Sequence, residues 1–356
     1  PSAVTVTKSA SASSGSVYVS ANAQVPTAFL KALGRDYMSV SAESTVSNGG
    51  KKLEMALVLD TTGSMNYNNK LRDLQAALPA ILDTVMPPGH DNTRIAVVPF
   101  ANYVNVGSTN TADLTGRISP YQNRQCVLER KRGPRPNEEP PVHGTNEFWI
   151  RTNNGDCSHI RPITPLTNDR TVLDAALANL TANGATAGHL GVQWGWHAIS
   201  PEWASRWPSG SQPAAYTDNG TIKAIVLLTD GNFTEFHVRE NGTDPGCNGA
   251  YDCAQSRDEA RQYCDAIKAR TNAFNDEAVM IFTIGFGLEP EWTYDGQKAR
   301  ETMKYCASYD WTDPETDLTK KKKHFYFPVT KQDLETTFHA IGDAVGEAVR
   351  KPRFTH

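Results

Sequence analysis

Apolar and polar residues alternate in two different rhythms along this 356-residue chain. Through the first 50 residues the period is two, so segments 4–7, 16–23 and 36–43 read as half-exposed strands. Ser13-Ser14-Gly15 and Val46-Ser47-Asn48-Gly49-Gly50 punctuate them, and Gly49-Gly50-Lys51-Lys52 marks a boundary. Beyond it the pattern turns to strand and helix in alternation. Residues 54–60, 94–100, 221–229, 278–285 and 324–329 read as strands, most of them continuous apolar runs. Residues 70–86, 171–180, 188–199, 256–274, 297–307 and 331–350 carry helical spacing. Pro87-Pro88-Gly89 stops the first helix, and Asn168-Asp169-Arg170 caps the second.

Strands alternating with helices predict an α/β fold, a doubly wound, mostly parallel sheet covered on both faces. The expected division is a β-rich segment over 1–50 and an α/β domain over 51–351. Two insertions interrupt the domain, at about 105–165 and 232–254. The first is too long for an ordinary connection, so it is structured by its own cysteines or functional.

Composition narrows the function classes. Apolar residues make up 39% and charged residues 21%, as in a soluble globular protein rather than a disordered chain. A net charge of −4 supplies no global field toward nucleic acid or an anionic membrane. No apolar run approaches the ~20 residues of a membrane span. The chain opens Pro1-Ser2-Ala3 without methionine, which reads as a processed or truncated product whose targeting or anchoring part lies elsewhere. Six cysteines without a Cys-x-x-Cys pair favour disulfides and an oxidising compartment. The favoured pairings are Cys126 with Cys157 and Cys247 with Cys253, which leaves Cys264 and Cys306 on consecutive helices. Trp194, Trp196 and Trp203 read as packing residues; His189, His197 and His237 share no spacing and read as structural or exposed. The run 320–323 of lysines reads as a solvated loop.

The candidate chemistry sits where two strands end. Met55 to Leu59 leads into Asp60-Thr61-Thr62-Gly63-Ser64, a carboxylate followed by hydroxyls on alternate residues. Ile225-Val226-Leu227-Leu228-Thr229 leads into Asp230. In open α/β sheets ligands bind beyond the carboxyl ends of the strands, where strand order reverses. If the two strands are neighbours there, the aspartates share one crevice. Two carboxylates ~4 Å apart repel by roughly 4 kcal/mol at an effective dielectric of about 20. Either one takes a proton or a cation lies between them. Thr62, Ser64 and Thr186 are neutral oxygen donors, which favours a cation, and few anionic ligands leave it residual positive charge. Magnesium fits best on size and octahedral demand; calcium and manganese are alternatives.

Asp60-Thr61-Thr62-Gly63-Ser64-Met65, Gly184-Ala185-Thr186 and Leu228-Thr229-Asp230-Gly231 together resemble the three-part metal-ion-dependent adhesion site of von Willebrand factor A domains. That family's first motif is Asp-x-Ser-x-Ser; here Thr62 fills the first hydroxyl slot and keeps the oxygen. The resemblance implies that Thr62, Ser64 and Thr186 ligate through hydroxyls, while Asp60 and Asp230 act directly or through waters. An open coordination position would take an acidic group from a partner. The β-rich start, the Asp-Thr-Thr-Gly-Ser-Met turn and the run Leu190-Gly191-Val192-Gln193-Trp194-Gly195-Trp196-His197 resemble TadG-like proteins of the bacterial tight-adherence pilus system. That narrower likeness implies pilus subunits as partners, a membrane-anchoring helix ahead of this chain, and a place in the periplasm or on the cell surface.

The expected function is therefore a metal-dependent adhesion or ligand-binding protein rather than an enzyme. Two alternatives stand beside it. One is a structural pilus-assembly subunit whose metal only stabilises the fold. The other is an aspartyl-phosphate hydrolase, because the Asp60 turn also resembles the Asp-Lys-Thr-Gly-Thr turn of phosphorylating ATPases; Thr61 stands where their lysine would be.

Overall fold

A computed structural model describes residues 4–11, 16–26, 37–47, 51–88, 92–107, 114–115, 125–131, 136–150, 158–237, 247–248, 253–288, 292–310 and 313–350. Contacts divide the chain into two units, Pro1–Lys51 with Glu347–His356, and Lys52–Gly346. The first unit carries three antiparallel strands, β1 (Val4–Ser11), β2 (Ser16–Pro26) and β3 (Tyr37–Ser47), in the order β1-β2-β3. All three run longer than the alternation suggests, since pairing on both sides of β2 carries regular structure through its polar positions.

The second unit is built on one sheet. Its parallel centre is β14 (Phe325–Tyr326), β13 (Val279–Gly285), β10 (Thr221–Thr229), β4 (Lys52–Asp60) and β5 (Thr93–Phe100), side by side in that order. The chain leaves β4 through a helix to reach β5 on one side, whereas β10 pairs β4 on the other. The strand order therefore reverses between β4 and β10. Both strands are buried almost throughout, which is why each reads as an apolar run and not an alternation.

Among the described residues the helices of this unit are α1 (Lys70–Val85), α2 (Arg170–Ala178), α3 (Gly188–Ile199), α4 (Ala254–Lys268), α5 (Tyr294–Cys306) and α6 (Lys331–Arg350). On α1, Leu74, Leu78, Ile81, Leu82 and Val85 form the buried stripe, each worth about 1.5–3 kcal/mol of burial. All of α3 is buried. It lies close on the sheet because Gly191 and Gly195 have no side chain; a Cβ there would come within 2.7 Å of Phe100 and 2.3 Å of Val58. Trp194, Trp196 and Trp203 are fully buried around it, as expected of packing residues.

The first insertion is less irregular than the sequence suggests. Its described parts add β6 (Val104–Asn105), β7 (Cys126–Arg130) and β8 (Phe148–Ile150) as an antiparallel extension, while β9 (Thr164–Thr167) pairs with the middle of β5. Arg130, buried, braces this extension from within by donating to the carbonyls of Asn137, Asn146 and Glu139, with its guanidinium over the ring of Phe148. In the second insertion β11 (Glu235–Phe236) pairs with β12 (Cys247–Asn248). Disulfides join Cys247 to Cys253, and Cys264 on α4 to Cys306 on α5. The expected partner of Cys126, Cys157, lies outside the described residues.

Two expected elements end early. The helix expected to reach 274 stops at Lys268, because Asn272 accepts from the backbone of Phe274 and Asp276 and Asn275 turns left-handed at φ 62°, forming a tight turn. The strand expected over 324–329 shrinks to Phe325–Tyr326, which pairs with β13 alone. The 320–323 lysines are exposed or half-buried, as read.

At the amino end of the sheet, Glu54 of β4 is buried. Its carboxylate accepts from Lys223 of β10 and Arg94 of β5, and from the backbone N–H of Ala214 at 3.0 Å.

Candidate metal centre

Parallel register sets Leu228 opposite Leu59, so Thr229 and Asp230 leave β10 where Asp60 ends β4. The turn after Asp60 is fastened from both sides. Thr61 N–H and Oγ1 both donate to the carbonyl of Phe100, at 2.8 and 2.9 Å. Gly63 N–H donates to the carbonyl of Gly184 at 2.8 Å, and Asn183 N–H donates back to Thr61 at 2.9 Å. The Thr186 loop is thereby laced to the Asp60 turn. Gly184 has φ +91°, and a Cβ on it would lie 1.8 Å from Asn102 Oδ1, so only glycine fits. Asn102 Oδ1 also accepts from Ala185 N–H at 3.0 Å.

Asp60 is fully buried. Its Oδ1 accepts from Thr62 N–H at 2.8 Å and its Oδ2 from Thr229 Oγ1 at 2.6 Å. Ser64 Oγ donates to Asp230 Oδ1 at 2.6 Å, and its other neighbour, Thr62 Oγ1, lies 2.9 Å away. With the Ser64 proton engaged on Asp230, Thr62 is the donor in that pair. Lys70 Nζ, at the start of α1, lies 2.9 Å from Asp230 Oδ2. Thr186 is 6% exposed; its carbonyl accepts from Thr234 and Glu235, and its N–H donates to Thr234 Oγ1 at 3.2 Å. The structure thus joins Asp60, Thr62, Ser64 and Asp230 in one hydrogen-bonded chain and brings Thr186 on the adjoining loop.

Burial pushes the Asp60 carboxyl up, the neighbouring charge of Asp230 pushes it further, and hydrogen bonds from Thr229 and Thr62 oppose them; the outcome is about 7. Two carboxylates face one ammonium, so the cluster carries surplus negative charge whenever Asp60 is ionised. Among the described residues no group of three or more His, Cys, Asp or Glu side chains is placed to hold a metal. Any ion here draws on hydroxyl oxygens as well, a donor set that suits a hard divalent cation and not a thiophilic or imidazole-seeking one. The residues present fit magnesium on that chemistry.

Lys70 and Thr229 are the contributors that the sequence reading did not single out. Thr229 stood in the third motif, and its place opposite Asp60 was the available signal. Nothing in spacing marks Lys70, which meets a residue 160 positions away. A second polar cluster also went unread. Glu129 on β7 is buried, with His189 Nε2 at 2.9 Å, His237 N–H at 3.0 Å and His237 Nδ1 at 3.3 Å. Burial raises this carboxyl, but the two histidines hold it below the ordinary carboxylate range. The histidines are structural, binding the second insertion to α3, and neither His189 nor His197 is exposed.

The mostly parallel sheet and its flanking helices make an α/β fold similar to that of von Willebrand factor A domains. The vWF domain of the type V pili tip protein Mfa5 from Porphyromonas gingivalis aligns over 86% of this chain and 99% of its own length, with TM-score 0.50 at 12% identity. The pilus adhesin SpaC from Lactobacillus rhamnosus GG aligns over 97% of this chain and 34% of its own, with TM-score 0.46 at 12% identity. A von Willebrand factor type A protein from Catenulispora acidiphila aligns over 96% and 49%, with TM-score 0.38 at 14% identity. The chain spans about a third of the length of SpaC. At 12% identity the likeness to the Mfa5 domain is one of fold. No family model and no curated protein matches the sequence.

Proposed function

We propose that this chain is a non-enzymatic, metal-dependent ligand-binding protein of a bacterial surface pilus, a tip adhesin or minor pilin-like component. Magnesium would be held by Asp60, Thr62, Ser64, Thr186 and Asp230, and would supply a Lewis-acidic position for an acidic group on the ligand. The single observation behind this reading is the continuous Thr62–Ser64–Asp230 bridge beside a buried Asp60, at the reversal of strand order. The pilus setting is supported by the fold shared with the vWF domain of the Mfa5 pilus tip protein. A tight-adherence pilus in particular rests on the sequence likeness described first. The disulfides among the described residues favour an extracytoplasmic place. Among the described residues no helix is long and apolar enough to cross a membrane.

The test is calorimetric titration of magnesium chloride into EDTA-stripped protein, followed by retention on immobilised polyglutamate with and without magnesium. Binding that disappears in Asp60→Ala and Asp230→Ala, with magnesium-dependent retention, supports the reading. Binding without retention leaves a metal that serves the fold alone and removes the adhesive role. Absence of binding removes the metal.

A further inference from the structure

We infer that Lys70 is an internal counter-cation of the proposed metal centre: its ammonium holds Asp230 when the divalent ion is away and weakens that ion's binding. The inference rests on the metal reading above and adds a residue that sets the affinity of the site.

The geometry is specific. The two oxygens of Asp230 have different partners, Ser64 Oγ on Oδ1 at 2.6 Å and Lys70 Nζ on Oδ2 at 2.9 Å. The Asp230 side chain is fully buried and that of Lys70 is 17% exposed, so this is not a solvent-screened surface pair. The lysine stem passes close over Gly287, where a Cβ would sit 3.2 Å from Lys70 Cε. Gly287 itself has φ +56°, a conformation that suits a residue without a side chain.

Lys70 also stands where its helix gives it no help. It is the first residue of α1, at the end of the helix dipole that favours anions, and the preceding Asn69 makes no side-chain cap. Asn68 and Asn69 are both left-handed, with φ 53° and 58°, two consecutive residues in a conformation that non-glycine residues seldom adopt. The local backbone is thus bent to start the helix on a cation aimed at a carboxylate 160 residues away. What this placement achieves is electrostatic. With Asp60 and Asp230 ionised the cluster carries two negative charges, and Lys70 reduces the surplus to one. A divalent ion entering the same cluster meets that positive charge and must share Asp230 with it.

The experiment compares the parent chain with Lys70→Met, which keeps the stem and loses the charge, and Lys70→Arg, which keeps the charge. Magnesium is titrated by calorimetry at pH 8 into EDTA-stripped protein, and thermal unfolding is recorded in EDTA and in magnesium. Lys70→Met should bind magnesium at least about tenfold more tightly than the parent, and Lys70→Arg within about twofold of it. In EDTA Lys70→Met should melt below the parent, and its rise on adding magnesium should be the larger of the two. A lysine that only braces the fold would lower the melting temperature and leave the affinity unchanged or weaker, and that result overturns the inference while the metal centre stands. If neither parent nor variants bind, the metal reading fails and this inference with it. Should Lys70→Met not fold without magnesium, Lys70→Gln carries the same titration and the same two outcomes.

Discussion

The two ends of the central strand pair solve opposite problems. At the amino end one buried carboxylate, Glu54, meets two cations and a backbone N–H, so nothing further is called for. At the carboxyl end two carboxylates, Asp60 and Asp230, share one ammonium and a set of hydroxyls. Both clusters span β4 and β10 and hold buried carboxylates. Charge balance separates them: the first is closed with positive charge to spare, and the second is short of one positive charge once Asp60 ionises. Burial of polar groups is therefore no mark of function by itself. An uncompensated sign at a strand-order reversal is the better one.

The sharpest break in that comparison is at the closed end. Burial pushes the Lys223 amine down, and Glu54 opposes that shift only in part. Glu54→Ala leaves Lys223 buried without its carboxylate, and breaking such a pair costs about 3–5 kcal/mol. Urea unfolding should show that loss, with magnesium binding of the folded fraction unchanged because the sites lie at opposite ends of β4. A loss below about 1 kcal/mol would mean that the amino end is no more of a staple than a surface ion pair.

At the open end the effect should have the opposite sign and depend on pH. A carboxyl raised in the folded state holds its proton there while the unfolded chain has lost it. Its contribution to stability is fully present below about pH 4 and is lost as pH rises toward about 7, where it levels off. The linked change is on the order of 4 kcal/mol. Asp60→Asn has no such proton to lose. In EDTA it should match the parent near pH 4 and exceed it in stability at pH 8, by about 2 kcal/mol or more after relaxation of the site. Urea midpoints at pH 4.5, 6 and 8 measure this, and parallel curves for the two proteins would show that Asp60 is not held against its charge.

Much of this contrast was legible in the sequence, for physical reasons that differ by region. β4 and β10 read as strands because both their faces are covered, and the residues that end them fall at the mouth of the sheet by necessity. Thr62, Ser64 and Asp230 could thus be named together before their contacts were known. Lys70 could not, because helical spacing records which face of α1 is apolar and not where a long side chain reaches. Nor could the strands of the first insertion: β6 has two residues and β8 three, too few to show a period of two. Glu129, His189 and His237 come from three separate stretches of chain, and their convergence is a product of topology alone.

The finest distinction concerns the threonine that stands in the first hydroxyl slot of the open end. Its Oγ1 lies 2.9 Å from Ser64 Oγ and its N–H holds Asp60 Oδ1, so the backbone and the hydroxyl have separate tasks. Thr62→Ser keeps both and removes only a methyl group. Thr62→Ala keeps the N–H and deletes the oxygen, which should cost about 1 kcal/mol of stability, the ordinary worth of one hydrogen bond. If the oxygen is also a ligand, Thr62→Ala should weaken magnesium binding by about tenfold or more, because a cation that loses a donor has only water to replace it. Thr62→Ser should stay within about twofold of the parent in both measurements. Equal affinities for the alanine and serine variants would assign Thr62 to bracing Ser64 and Asp60 alone, and would make the open end a site of four donors.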